Sequence, residues 1–163
     1  MKHTISILVE NHAGVLARVA GLFARRGFNI DSLAVGVTDD EKISRITIIA
    51  DGTAYTLEQI EKQLNKLIDV IKVRHLPAEE LLSRELVLIK VACQPSQRAE
   101  LISLAEIAKA KISDITVNTM TLELSDSVPR IKTFEELLRP YGIKETVRTG
   151  SIAMQKGGAS MKL

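Results

Sequence analysis

The spacing of apolar residues changes period along the first 76 positions, and this change limits the folds open to the chain. In residues 4–10, Ile5, Ile7 and Val9 recur at every second position, which is typical of a strand with one buried face. In residues 15–26 the apolar residues fall instead on one stripe of a helix. This stripe consists of Val15, Leu16, Val19, Leu22 and Phe23. Gly27 then predicts the helix C-terminus.

A second helix and three further strands complete the pattern of the first half. Thr56 and Gln59 have the spacing of a capping box, which predicts that a helix starts there. Its apolar stripe is Leu57, Ile60, Leu64 and Leu67. The other strands are predicted at residues 28–38, 44–50 and 70–76, with a polar turn at 38–42. The resulting order, βαββαβ, is that of the ferredoxin-like split unit.

The second half repeats this order more loosely. Pro95 opens a predicted helix at its first turn. The predicted elements are a strand at 84–93, a helix at 96–110, strands at 112–118 and 120–125, a helix at 132–139 and a strand at 143–149. We therefore predict an α+β fold with two ferredoxin-like βαββαβ domains. Their predicted ranges are 1–76 and 84–154, with a linker at 77–83 and a disordered tail at 155–163.

Charge and composition exclude several classes of function. The net charge is only +2, and basic and acidic residues balance in each half, so no basic face for nucleic acid or anionic lipid is expected. The single cysteine, Cys93, excludes an internal disulfide and fits a reducing compartment. The N-terminus has no signal-peptide pattern, and no apolar stretch has the length of a membrane span. We expect a soluble, cytoplasmic protein.

The chain shows no pattern of catalytic residues. His3, His12 and His75 lack the short spacings that place two metal ligands on one helix face. No phosphate-binding glycine loop and no nucleophile elbow is present in the sequence. We therefore predict no catalytic residue and no metal site, and an enzyme that uses its own side chains is the least favoured interpretation.

One loop, residues 10–16, has the composition of a ligand site. It joins the first predicted strand to the first helix, whose N-terminal N–H groups attract carboxylates. Gly14 leaves room for a ligand to approach the backbone, and Asn11 supplies both a donor and an acceptor. The alternative is that Asn11 only caps the helix and Gly14 only eases the turn. These residues alone do not decide between the two.

Several longer motifs resemble a known family. The first 76 residues resemble an ACT domain, a regulatory module that commonly binds amino acids. More specifically, the chain is similar to the acetohydroxyacid (acetolactate) synthase small subunit. The motifs that carry the resemblance are ENHAGVLARVAGLFARRGFNIDSL at 10–33, SRITI at 44–48, LEQIEKQLNKLIDVIKV at 57–73, RELVLIKV at 84–91 and ETVRTG at 145–150.

The resemblance implies a regulatory role in branched-chain amino-acid biosynthesis. In such a subunit valine is the usual feedback effector, and it binds between the ACT domains of two chains. The effector-binding positions implied are Asn11, Ala13, Gly14, Val15 and Leu16 from one chain, and Asn29 and Ile30 from its partner. Without an effector role, Asn29 is a turn residue at a strand entry and Ile30 is a core position.

The resemblance also implies the partners. The chain would form a homodimer through its ACT domains, and would activate a catalytic large subunit. Thiamine diphosphate, Mg²⁺ and any FAD would belong to that subunit, and no cofactor is expected in this chain. The alternative is an ACT-domain amino-acid sensor that regulates a different enzyme or a transcription factor.

Overall fold

The computed structural model describes residues 1–162, and Leu163 lies outside the described residues. The chain divides into two compact units. The first contains residues 1–82 together with the segment from Ser151 onward, and the second contains residues 83–150. None of the helices within the described range is both long and apolar enough to cross a lipid bilayer.

The first unit has the predicted βαββαβ order. Its elements are β1 (Lys2–Glu10), α1 (Val15–Arg25), β2 (Ile30–Val37), β3 (Ile43–Asp51), α2 (Ala54–Leu64) and β4 (Val70–Leu76). The four strands form an antiparallel sheet in the order β2-β3-β1-β4. Strand β1 therefore lies inside the sheet, and β2 and β4 form its edges.

The core of the first unit lies between one face of this sheet and the two helices. Ile5, Ile7 and Val9 of β1 are buried there, as their alternation predicts. Phe23 of α1 is fully buried against them. Gly27, with φ 69°, follows the end of α1 in the left-handed conformation that glycine adopts most readily.

The second unit is built on the same plan, which confirms the prediction of two ferredoxin-like domains. Its elements are β5 (Leu81–Ala92), α3 (Arg98–Ala108), β6 (Lys111–Ile115), β7 (Thr119–Asp126), α4 (Val128–Leu138) and β8 (Ile143–Arg148). The strands follow the order β6-β7-β5-β8. Phe134, Leu101 and Cys93 are buried in its core, so the cysteine is a packed apolar residue.

Residues after Ser151 return to the first unit and pack on the second face of its sheet. Strand β9 (Ile152–Gln155) belongs to this segment. The Arg45 side chain of β3 donates a 2.8 Å hydrogen bond to the Ala153 carbonyl. Ser6 and Leu8, which point away from the helices, are buried on this face. The sheet is thus covered on both sides.

The two compact units divide the chain at a different point from the predicted domains at this end. We predicted that the second domain continues to residue 154 and that a disordered tail follows at 155–163. Instead the second unit ends at Gly150, and the chain beyond it is held by hydrogen bonds. Lys156 N–H donates to the Glu80 carbonyl at 2.8 Å, and Arg74 donates to the Ser160 carbonyl at 3.2 Å.

Three further boundaries differ from prediction. Helix α2 begins earlier than the Thr56–Gln59 pattern predicted, because Thr53 is its N-cap and accepts a 3.2 Å hydrogen bond from Thr56 N–H. Helix α4 begins at Val128 rather than near 132, with a proline in its first turn. The predicted linker at 77–83 is shorter than expected, since a 3₁₀ turn at Ala78–Glu80 leads directly into β5.

Candidate effector-binding site

The loop between β1 and α1 leaves the start of the helix open. Gly14 is the N-cap residue, with φ 88° and ψ −13°, and no side chain of residues 1–162 caps this helix. The first turn of α1 contains no acidic residue. Its N–H groups therefore have no intrahelical acceptor and face outward with partial positive charge. This arrangement favours an anionic group, such as a carboxylate, at the N-terminus of α1.

Asn11 holds this loop to the turn between β2 and β3. Its side-chain amide donates to the Glu41 carbonyl at 2.7 Å, and its backbone N–H donates to the Lys42 carbonyl at 2.8 Å. Asn11 is therefore not the helix cap, and the capping alternative is wrong for this residue. The remaining acceptor, the amide oxygen, is free for a ligand donor within the described structure.

A charged cluster lies beside the loop. Asp69, only 5% exposed, accepts a hydrogen bond from Arg18 of α1, and its other carboxylate oxygen lies 3.0 Å from Nε2 of His12. Its backbone carbonyl also accepts from Glu10 N–H at 2.9 Å. The buried carboxylate thus joins the end of β1, the loop and the first turn of α1. Sequence reasoning missed this cluster, because Asp69 is 51 residues from Arg18 along the chain.

His12 has three acceptors around its ring. Nδ1 donates to the Ala13 carbonyl at 3.2 Å, and Nε2 lies 3.1 Å from a Glu10 carboxylate oxygen. The bond to the Ala13 carbonyl raises the pKa of His12 above its usual value, and Glu10 and Asp69 add to this against the opposing effect of desolvation. The cationic imidazolium is therefore favoured beside the open helix N-terminus.

The Glu10, His12 and Asp69 side chains each offer one ligand atom, and these atoms lie within 4.8 Å of one another. Such a triplet has the donor types of a metal site. However, Arg18 already places a guanidinium on the second carboxylate oxygen of Asp69. A divalent cation would bind against that charge, so the cluster is better described as an ion-pair network.

The remaining positions of the loop differ in what they can contribute. Val15 is 3% exposed and packs in the core, so only its backbone is available to a ligand. Leu16 is 42% exposed and presents an apolar side chain beside the loop. Ala13 is also exposed.

Asn29 and Ile30 lie at the opposite end of the same sheet. Ile30 pairs with Ala50, which pairs with His3 at the start of β1, whereas the loop follows Glu10 at its end. Seven residues of strand separate these ends, about 23 Å at 3.3 Å per residue. One chain therefore does not bring the two halves of the predicted site together.

Asn29 is exposed and donates a 2.9 Å hydrogen bond to the side chain of Asp31, which holds it at the entry to β2. Ile30 is half-buried and packs partly against the core. Both residues therefore keep surface that a ligand or a second chain could contact.

Comparison with known proteins identifies the family. Residues 5–72 match the AHAS small subunit-like ACT domain, and residues 84–157 match the small subunit of acetolactate synthase. The chain is 49% identical over 157 residues to a probable acetolactate synthase small subunit of Archaeoglobus fulgidus, covering 96% of this chain and 98% of the relative. It is 44% identical over 155 residues to the acetolactate synthase small subunit of Mycobacterium leprae, covering 95% and 92%.

A solved structure agrees with these relatives. The acetolactate synthase small subunit of Thermotoga maritima superposes with a TM-score of 0.91 at 38% sequence identity, over 98% of this chain and 99% of that chain. The ACT domain, together with the small-subunit relatives, supports a regulatory role for this chain. The fold, the motifs at 10–33 and the near full-length matches show that this chain belongs to the acetolactate synthase small-subunit family.

Proposed function

We propose that this chain activates the catalytic large subunit of acetolactate synthase and makes it sensitive to valine. The observation that carries the proposal is the uncapped N-terminus of α1 at Gly14, placed within an ACT domain. The thiamine diphosphate, Mg²⁺ and any FAD that the reaction uses would then belong to the large subunit. This chain would supply binding energy and the coupling between effector and catalysis.

The loop offers a group for each part of an amino acid. The valine carboxylate would accept hydrogen bonds from the N–H groups of the first turn of α1, after Gly14. The amide oxygen of Asn11 would accept from the valine ammonium group. Leu16 would cover the isopropyl group, and burying such a side chain contributes about 1.5–3 kcal/mol.

A two-fold dimer explains why Asn29 and Ile30 lie far from this loop within one chain. Strand β2 is an edge of the sheet, and its exposed Val35 and Val37 suit contact with a second chain. Antiparallel pairing of β2 with its symmetry mate would place the start of one β2 beside the end of the other. Asn29 and Ile30 lie at the start of β2 in one chain. The end of β2 in the partner lies at the same end of the sheet as the partner's own β1–α1 loop.

The test is reconstitution with the large subunit. Acetolactate formation is measured for each subunit alone and for the mixture, with and without valine. We expect no turnover by this chain alone, a higher rate for the mixture than for the large subunit, and inhibition by valine only in the mixture. Turnover by the purified chain, or a rate that the chain does not change, would contradict the proposal.

A matched pair of variants locates the effector site. Asn29→Ala removes an exposed amide whose side-chain bond, among residues 1–162, is to Asp31, so the fold should be unaffected. We expect it to raise the valine concentration for half inhibition while activation persists. Asn118→Ala, which changes another exposed asparagine in the second unit, is the control and should leave the titration unchanged.

A further inference from the structure

Strand register places three basic residues on one face of the first sheet. Lys72 of β4 and Arg45 of β3 both pair with Leu8 of β1, and Arg74 pairs with Ser6, two residues earlier. Residues two apart on a strand share a face. Arg45, Lys72 and Arg74 are therefore together on the face that points away from the helices.

Residues 154–162 lie over this face, and together they line an open cleft of about 500 Å³, which we call the arginine pocket. Arg45 and Arg74 both line it, and its apolar walls are Leu8, Val37, Leu76, Met154 and Met161. The volume lies in the range of small-molecule sites, which combine apolar walls with a few polar groups. All of its lining residues belong to the first unit.

The two guanidinium groups in the arginine pocket form no salt bridge with a carboxylate of residues 1–162. Arg45 donates to the Ala153 carbonyl at 2.8 Å, and Arg74 donates to the Gln155 side chain at 3.4 Å and the Ser160 carbonyl at 3.2 Å. All three acceptors are uncharged. Asp39 also lines the pocket, but neither arginine forms an ion pair with it.

Arg45 also carries an unused donor. Its Nε is buried and has no hydrogen-bond partner among the described residues. A buried donor without a partner costs about 1–3 kcal/mol, so such groups normally find an acceptor. Burial lowers the pKa of Arg45, and the nearby positive charge of Arg74 lowers it further. The pocket thus holds two like charges that an anion would neutralise.

We propose that the arginine pocket binds an organic oxyanion, with the acid group on Arg45 and Arg74 and the carbon chain against the apolar walls. Guanidinium groups bind carboxylate and phosphate oxygens with paired hydrogen bonds. The site shares no residue with the proposed effector positions and does not depend on them.

The test measures binding to the full chain by calorimetry and by thermal unfolding. The probes are hexanoate, which has an acid group and an apolar chain, hexanol, which lacks the acid group, and inorganic phosphate, which lacks the chain. We expect hexanoate to bind and to raise the melting temperature, phosphate to bind more weakly, and hexanol to have no effect. Equal effects of hexanoate and hexanol would overturn the proposal.

Two variants separate the pocket from general surface charge. Arg74→Gln removes a pocket guanidinium and its two bonds to the covering segment, and should weaken hexanoate binding at least tenfold. Lys72→Gln is the control, because it also removes a positive charge and a bond to that segment, at the Lys162 carbonyl. It should bind hexanoate as the wild type does. Equal binding by both variants would contradict the assignment.

Discussion

Replacing Gly14 by alanine tests whether its backbone conformation sets the shape of the loop. A left-handed conformation, φ 88° here, costs a residue with a Cβ about 1–2 kcal/mol. The new Cβ would lie 3.5 Å from the Arg18 guanidinium, an ordinary contact, so steric overlap adds little. Alanine also lowers the conformational entropy of the unfolded chain, which stabilises the folded protein by about 0.4–1 kcal/mol. The net loss of unfolding free energy is therefore about 1 kcal/mol.

The assay is urea unfolding of the full chain, with thermal unfolding as a second measure. A loss of about 1 kcal/mol corresponds to a fall of about 2–4 °C in melting temperature for a chain of this size. Gly21→Ala is the matched control, because Gly21 lies inside α1 without a positive φ. It should stabilise the protein by about 0.5–1 kcal/mol. A Gly14→Ala variant as stable as the wild type would refute the reasoning.

Two other substitutions of Gly14 distinguish the effect of charge from the effect of backbone strain at the proposed carboxylate site. Gly14→Asp and Gly14→Asn carry similar backbone strain, because both residues tolerate the left-handed region better than most. They differ in charge. Two like charges about 4 Å apart repel by about 1 kcal/mol in water and more when partly buried. Valine should therefore bind the aspartate variant at least about fivefold more weakly than the asparagine variant. Equal valine affinities would show that no carboxylate binds there.

Three further predictions concern the ion-pair network and the core. Asp69→Asn should lower the unfolding free energy by about 1–3 kcal/mol. The loss is smaller than for a fully buried pair because Arg18 is 51% exposed. Asp69→Glu keeps the charge and should lose less unfolding free energy than Asp69→Asn. The raised pKa of His12 predicts a stabilisation that is present below about pH 6.5, the unfolded value, and is lost as pH rises through the folded value. The urea midpoint of His12→Gln should not fall as pH rises through this range. A pH dependence equal to that of the wild type would show that His12 is not the cause. Phe23→Ala should cost about 3–5 kcal/mol in urea unfolding, and a loss below 1 kcal/mol would mean that the core collapses around the cavity.

The fold was largely predictable because its strands and helices bury single faces. The alternation of Ile5, Ile7 and Val9 in β1 has a period that only a half-buried strand satisfies, and it predicted the burial found. The start of α2 was predicted at the wrong threonine. Thr53 and Thr56 both resemble caps, and the choice depends on where β3 ends, which propensity does not determine.

Long-range pairing explains what the sequence did not reveal. The return of residues 151–162 to the first sheet depends on acceptors such as the Ala153 carbonyl, which leave no periodic pattern. The ion pair of Asp69 with Arg18 was also not predictable from the sequence. A single aspartate gives no sign of burial until the position of β4 is known. The left-handed Gly14 was foreseeable as a possibility from its residue type, but its φ angle follows from the loop as folded.

A mixed dimer tests most directly whether two chains share one effector site. One chain carries Gly14→Asp and its partner carries Asn29→Ala, with two affinity tags for purification. If the loop of one chain meets the β2 entry of the other, one site holds both substitutions and the second site is intact. Calorimetry should then give half the wild-type valine stoichiometry at wild-type affinity, although each variant homodimer lacks a wild-type site. No high-affinity valine binding by the mixed dimer would contradict the shared site.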